Sequence, residues 1–462
     1  MITRIEVSGF KSLKDFALDF VPGLNILVGP NGAGKTNIVS FFEYLTHLME
    51  TDASEATSRV GGAGVVFRKI GNDYEKNINV RLIGSAGRPP SHSQPQAKEN
   101  HSEIDFKYLE YDYSFSLLFP ETRDSVLFQT QRFRFRRAKE FTTAEQMLSN
   151  PAQWDLEVES KLNPDGTFQV TINAFDEKVA RIPYFHPGSD KKTAKENFEQ
   201  TLVQILSSNV SLLNPICRYN IELFAITNDI SGGQIYNVVP SKVKLPEDSS
   251  KPPGIARDGS GLAATLFALQ RSKHPSVFGP WEVLYLPGRD RYDPTALEQL
   301  KEYLKLVNAA IDDIHVSNDS FDNQLRVQFF IKSGNYNATV PLAFISDGTL
   351  KWLTLVAAAL TARSVFCIEE PENYLHPLMQ GQIVSILREI LFRQDTNRFT
   401  LMTTHSETLL NHCRPEEIII VSMENGMTIA KHCSNAVEVS DEINRTGFGL
   451  GYYYISDALQ NE

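Results

Sequence analysis

The stretch "LNILVGPNGAGKTNIVSFFEYL", Leu24 to Leu45, constrains this chain more than any other. An apolar, strand-like run passes through Gly29-Pro30-Asn31-Gly32-Ala33-Gly34-Lys35-Thr36 into a helical pattern, with the spacing G-x-x-x-x-G-K-[ST]. Glycines allow a tight loop whose N–H groups point inward, and a helix N-terminus adds partial positive charge. That cradle fits the β-phosphate of a nucleoside triphosphate. Lys35 would reach the β- and γ-phosphates, and the Thr36 hydroxyl would offer a hard oxygen to Mg²⁺. Asn31, Gly32, Ala33, Gly34, Lys35 and Thr36 are therefore the candidate ATP contacts, set in a strand–loop–helix unit of a parallel α/β sheet.

The partner motifs lie far downstream. "SVFCIEEPENYLHP" is an apolar strand ending in Glu369-Glu370. Glu369 sits like a Mg²⁺-side carboxylate, and Glu370 like the general base that faces the attacking water. Two solvated glutamates at a strand end are common, but less so in a chain that also holds the loop above. "FTLMTTHSE" puts His405 at the tip of another buried strand, where it can contact a γ-phosphate or serve as a local hydrogen-bonding residue. "AFISDGTLKWLTLVAAAL" reads as a helix capped by Ser346, which by itself is an ordinary helix start.

The totals are those of a globular protein: 462 residues, 42% hydrophobic and 22% charged. No apolar run reaches the ~18 residues needed to span a bilayer. "MITRIEVSGFKSL" alternates like a strand and lacks the form of a signal peptide, so a soluble, cytoplasmic protein without membrane contact is expected. Cys217, Cys367, Cys413 and Cys433 show no CxxC. "HC" occurs twice, but a hairpin turning at Asn425-Gly426 would leave Cys413 roughly 16 Å along the strand from Cys433, which favours structural thiols. The net charge of −11 argues against a nucleic-acid coat without excluding a local basic groove.

Along the chain, three domains are expected. Residues 1–185 make an N-terminal lobe with the loop and an antiparallel β part. Within it the Pro- and Ser-rich 84–103 stretch reads as a mobile insertion. Residues 186–319 form a helical insertion whose "KLPEDSSKPPGIARDGSG" reads as a linker. Residues 320–462 return to alternating strand and helix and end in the hairpin. No helix sustains heptads for a long coiled coil, and no internal repeat is present. In "QTQRFRFRRAK", Arg132, Arg134 and Arg136 fall on one strand face and Phe133 and Phe135 on the other. That face is either a solvated one over a packed one, or a contact for DNA, a phage protein or an acidic partner.

Taken together, "GFKSL", "GPNGAGKT", "FISDGT", "IEEPENYLHP" and "TTHS" resemble the ATP-binding head of ABC-type ATPases of the SMC, RecF and OLD kind, within the AAA family. The resemblance covers about residues 1–83 and 320–412. It implies a two-lobed P-loop NTPase of α/β class, with an antiparallel β subdomain and a helical insertion. It implies ATP and Mg²⁺ as cofactors, Glu370 and His405 as catalytic residues, Thr36 and Glu369 as metal ligands, and Lys11 of "GFKSL" beside the ATP. In such heads Ser346 and the Gly348 backbone cap the γ-phosphate held by the other protomer of a homodimer. Asp347 departs from the commoner Leu-Ser-Gly-Gly signature, and Glu369 replaces the usual Asp. The Q-loop glutamine has only Gln129 and Gln131 as weak candidates. Without long coiled coils, and with too few residues after "TTHS" for a Toprim nuclease, the chain is most similar to stand-alone ATPase subunits of bacterial anti-phage systems such as PARIS, Septu and some retrons. There a homodimer or larger homo-oligomer with slow, regulatory hydrolysis controls a separate nuclease or toxin. A RecF-like DNA-repair ATPase that clamps DNA is the alternative.

Overall fold

The computed structural model describes residues 1–87, 106–120, 125–150, 153–176, 191–217, 223–271, 293, 295–319, 321–362, 365–393 and 398–456. Its centre is a six-stranded sheet gathered from both ends of the chain. In spatial order the strands are Gln234–Tyr236, Phe366–Glu369, Phe399–Thr403, Gly23–Val28, Ile418–Glu424 and Met427–His432. All neighbours are parallel except the last pair, which is the expected hairpin with Glu424 opposite Met427. Asn425 takes φ 49° and Gly426 φ 72°, the positive values a two-residue turn requires.

Strand alternation splits this sheet between two cores, as a sheet covered on both faces demands. Leu27, Cys367, Leu401 and Ile419 face the core that holds Phe41 and Phe42 of helix Lys35–Glu50. Ile26, Ile368, Met402 and Ile418 face the core of helices Asp347–Thr361 and Pro377–Arg393. The first of those two helices is buried on every side from Thr349 to Leu360, with Trp352 and Lys351 at 0% and 1% exposure. An apolar helix enclosed on all sides is a core element, and its position is set by packing rather than by its ends.

The second large sheet is antiparallel and seven-stranded, running Phe168–Phe175, Leu156–Leu162, Leu127–Ala138, Tyr108–Leu118, Asn77–Gly87, Ile2–Ser8 and Phe16–Asp19. Its buried Phe133, Phe135, Tyr111 and Tyr113 pack into the same core as the P-loop helix. A third sheet joins Ile311–Asp319, Gln324–Ser333 and Tyr336–Pro341.

Several boundaries differ from the sequence reading. Residues 84–87 end the strand Asn77–Gly87, and the rest of the expected mobile insertion lies outside the described residues. The segment 186–319 is not purely helical: Gln234–Tyr236 joins the central sheet beside Phe366–Glu369, and the 319/320 boundary falls within a hairpin of the third sheet. After the terminal hairpin come two helices, Ala436–Thr446 and Leu450–Ile455, whose Val439, Leu450 and Tyr453 are buried. No helix among the described residues is long and apolar enough to cross a membrane.

Candidate functional site

The strand Gly23–Val28 delivers the loop, and helix Lys35–Glu50 leaves it. Gly34 begins that helix at φ 100°, with no side chain capping the first turn. A Cβ at Gly34 would run into the side chain of Thr428 on the hairpin, and one at Gly29 into the Val421 carbonyl. The loop is thus pressed between its own helix and the hairpin, with room only for glycine at both places. Lys35 folds over it, donating from Nζ to the Gly29 carbonyl at 2.8 Å and the Pro30 carbonyl at 3.0 Å. Burial lowers its pKa, against the pull of Glu370.

A cavity of about 440 Å³ opens over this loop. Asn31, Gly32, Gly34, Lys35, Thr36 and Asn37 line one side, and Glu369, Glu370, Thr403 and His405 the other. Parallel pairing explains the meeting: Glu369 lies opposite Thr403, and Thr403 opposite Leu27, so adjacent strands end at one level. This is the carboxyl end of a parallel sheet, where open α/β folds place their ligands.

Glu369 is 7% exposed, and Arg257 reaches its Oε2 at 2.6 Å. Glu370 sits at φ 45°, its N–H donating to the Thr403 carbonyl at 3.1 Å and its Oε2 accepting from Asn373 at 2.9 Å. The His405 N–H donates to Glu372 Oε1 at 2.9 Å. Beneath the turn, the buried Lys351 donates to the Glu370 carbonyl at 3.0 Å, and burial pulls its pKa down to about 8.

The site fits a nucleotide with Mg²⁺. A buried carboxylate already held by a cation, an exposed Thr36 hydroxyl and a cradle of glycines leave the remaining ligands to phosphate oxygens, as Mg²⁺ sites commonly do. No group of three or more His, Cys, Asp or Glu suited to holding a metal by protein ligands alone occurs among the described residues.

Two family models match this chain. One, "AAA domain, putative AbiEii toxin, Type IV TA system", covers residues 262–411, and the other, "AAA domain", covers 4–209. Both models describe AAA domains, and they match two separate stretches of this chain, one on either side of residues 210–261. Among curated proteins it is 34% identical over 99 residues to the DNA replication and repair protein RecF of Rhodococcus erythropolis, covering 20% of this chain and 24% of that one. It is 32% identical over 83 residues to the chromosome partition protein Smc of Bacillus subtilis, covering 18% of this chain and 7% of that one. These matches span a quarter or less of those proteins. Among solved structures, the SmcHead bound to the C-winged helix domain of ScpA aligns with a TM-score of 0.44 at 12% identity, covering 93% of this chain and 97% of that one. The Smc head domain from Pyrococcus furiosus, bound to the C-terminal domain of ScpA, gives 0.43 at 12% identity, covering 96% and 99%.

The cavity does not gather every expected residue. Ala33 is buried in the core, its N–H bonded to the Pro30 carbonyl. Lys11, at φ 47°, is not among the lining residues. Its pKa is lowered by burial and shaped further by the nearby charges of Glu43, Arg257 and Glu369. Ser346 and Gly348 also lie off the cavity; the Ser346 hydroxyl accepts from the Thr349 N–H at 3.3 Å.

Three expectations need correction. Gln131 is 2% exposed and occupied by the Tyr113 hydroxyl and the Leu212 N–H, both at 2.6 Å, so it belongs to the core rather than to a Q-loop. The arginine face is neither bare nor simply solvated. Arg132 pairs with Glu157 at 2.6 Å, Arg134 with Asp112 at 2.7 Å, and Arg136 with Glu110, across neighbouring strands. Spacing could show the stripe, but the carboxylates come from other strands.

The expected linker takes a defined conformation and reaches the cavity. Glu247, 7% exposed, accepts from the Gly261 N–H at 2.6 Å and the Ala264 N–H at 3.0 Å, closing a loop that carries Arg257 into the cavity beside Asn237. Neither side chain has a motif around it; the pairing of Gln234–Tyr236 with the acidic strand, and the Asn237 N–H bond to the Arg257 carbonyl, bring them there.

Proposed function

We propose that this chain is a regulatory ATPase subunit of a bacterial anti-phage defence system. It binds and slowly hydrolyses ATP with Mg²⁺, pairs with a second copy through ATP, and controls a separate nuclease or toxin. The observation that carries the ATPase part is one cavity lined by Lys35, Thr36, Glu369, Glu370 and His405, drawn from opposite ends of the chain.

In this reading Lys35 exchanges its two loop carbonyls for the β- and γ-phosphates, and the first-turn N–H groups of its helix face the anion. Thr36 and Glu369 would hold Mg²⁺, which supplies charge neutralisation at the phosphates. Glu370 orients and deprotonates the attacking water. Its backbone is pinned by Thr403 and by Lys351 from behind, and Asn373 holds its outer oxygen. His405, set by Glu372, contacts the γ-phosphate.

Ser346 and the Gly348 backbone act on ATP bound by a second copy. Their end of the helix is exposed, with Phe344 at 79% and Tyr374 at 59% exposure near it and Asp347 paired with Lys244 at 2.7 Å. Support for the defence role comes from the toxin–antitoxin system named by the family model over 262–411. The similarity to RecF proteins supports a second reading, a DNA-repair ATPase that clamps DNA. The paired arginines of strand Leu127–Ala138 speak against that strand as the DNA contact, because their charge is already met by carboxylates.

Purification of the chain with the product of its neighbouring gene, followed by native mass measurement with and without ATP, tests the proposal. A stoichiometric complex with a nuclease or toxin is expected. A free dimer that binds DNA with steep salt dependence would favour the second reading.

A further inference from the structure

Arg257 lies in the interval 210–261, between the stretches that the two family models match, yet it makes the shortest charged contact in the cavity. Its guanidinium reaches Glu369 Oε2 at 2.6 Å and Glu43 Oε2 at 3.4 Å. Its backbone is fixed: the Asn237 N–H donates to its carbonyl at 2.8 Å, and the Val239 N–H to the Asp258 carbonyl at 2.9 Å. The turn closes from the Ala256 N–H to the Ser260 carbonyl at 2.7 Å, with Gly259 and Gly261 both at φ 89°. The side chain itself is 45% exposed, so its outer half has space to leave.

We propose that Arg257 is an internal stand-in for the divalent cation at Glu369. The inference rests on the ATPase reading above. A buried carboxylate beside a phosphate site cannot stay uncompensated, because burial raises the cost of its charge and the phosphates would repel it. Arg257 supplies that compensation in the absence of metal, and Mg²⁺ must displace it to reach Glu369. Both effects act in one direction. The arginine supports nucleotide binding without metal and opposes the gain that metal brings. Removing it leaves binding strongly dependent on Mg²⁺.

The test measures calorimetric binding of the non-hydrolysable ATP analogue AMP-PNP to the full chain, in Mg²⁺ and in EDTA, for wild type, Arg257→Ala, Glu369→Gln and the double variant. The ratio of the Kd in EDTA to the Kd in Mg²⁺ should rise by about tenfold in Arg257→Ala, the scale of one charged hydrogen bond. Arg257→Lys should give a smaller rise. In the Glu369→Gln background, Arg257→Ala should leave the ratio unchanged, since the charge at position 369 that the arginine compensates is gone. Equal weakening of both Kd values, as from a disturbed loop, would overturn the inference, as would an unchanged ratio. A wild type that binds the analogue in neither condition would sink the ATPase reading together with the inference. Binding by wild type with no change of ratio in Arg257→Ala would sink the inference alone.

Discussion

Two helices of this chain begin with glycine and serine chemistry suited to an anion, and they begin differently. Helix Lys35–Glu50 starts at Gly34 with no side-chain cap, inside a cavity. Helix Asp347–Thr361 starts at Ser346, whose hydroxyl already bonds the Thr349 N–H, and its first turn lies off that cavity among exposed residues. Uncapped donors need a partner, and the first helix has a place for one within its own chain. The second is satisfied as an ordinary capped helix and gains an anion only when another surface brings it. In the proposed dimer, the difference would separate a site that one chain completes from one that needs two.

The largest expected effect breaks the first half of that comparison. Lys35→Ala should lower ATP turnover by about 10³-fold or more, because the β/γ-phosphates lose their charge partner where the negative charge concentrates. Turnover at the wild-type rate would show that the uncapped helix start is no phosphate site.

Mixing separates the two starts directly. Lys35→Ala and Ser346→Arg chains should each be inactive alone, and their mixture should regain turnover at one of the two sites of the heterodimer. Glu370→Gln keeps the shape but removes the base, so ATP should hold two chains together, visible as a dimer by size exclusion only with ATP and Mg²⁺. A monomer under those conditions, with no rescue on mixing, returns Ser346 to a plain cap.

Lys351 links the second helix to the turn that carries Glu370, and its titration reports on the link. Its amine is held at about 8 by burial, below the 10.5 of an exposed lysine, so the unfolded chain binds more protons between those values. Stability should therefore rise with pH from about 8 to 10, by on the order of 1–2 kcal/mol in chemical denaturation. Lys351→Met should flatten that rise. A wild-type profile no steeper than the variant's would mean that the amine is not strained in place.

The smallest effect is the most discriminating for the cap. Ser346→Ala should cost about 1 kcal/mol of stability as a lost N-cap. If the hydroxyl serves only its own helix, turnover at saturating ATP stays at the wild-type level. If it serves a second copy, turnover falls much further than that loss explains.

Much of the site was legible because some motifs are local. The loop needs glycines, Lys35 and Thr36 within a few residues of one strand and one helix, and a spacing of that kind survives in the sequence. Glu369, Glu370 and His405 were readable for a related reason: each ends a short apolar strand, and parallel strands end together on one edge. The hairpin at Asn425-Gly426 was visible through its turn chemistry alone.

Tertiary structure decided what locality could not. Arg257 sits in a Pro-, Gly- and Ser-rich stretch that reads as a linker, and reaches the candidate site because Gln234–Tyr236 pairs with Phe366–Glu369 and the Asn237 N–H beyond that strand holds the Arg257 carbonyl. The arginine stripe is evident by period two, but its neutralisation depends on which strands lie beside it, and registers such as Glu110 opposite Arg136 are not written in either strand alone. Gln131 is polar in sequence and buried in fact, because Tyr113 and Leu212 bring it partners from elsewhere in the chain. The sequence by itself determined the glycine-rich loop, the acidic strand ends and the parallel sheet, since each rests on backbone geometry within one or two elements. Which charges meet, and so which of them remain open to a ligand, is a property of the packed molecule, because an ion pair depends on the distance between side chains that the chain order leaves far apart.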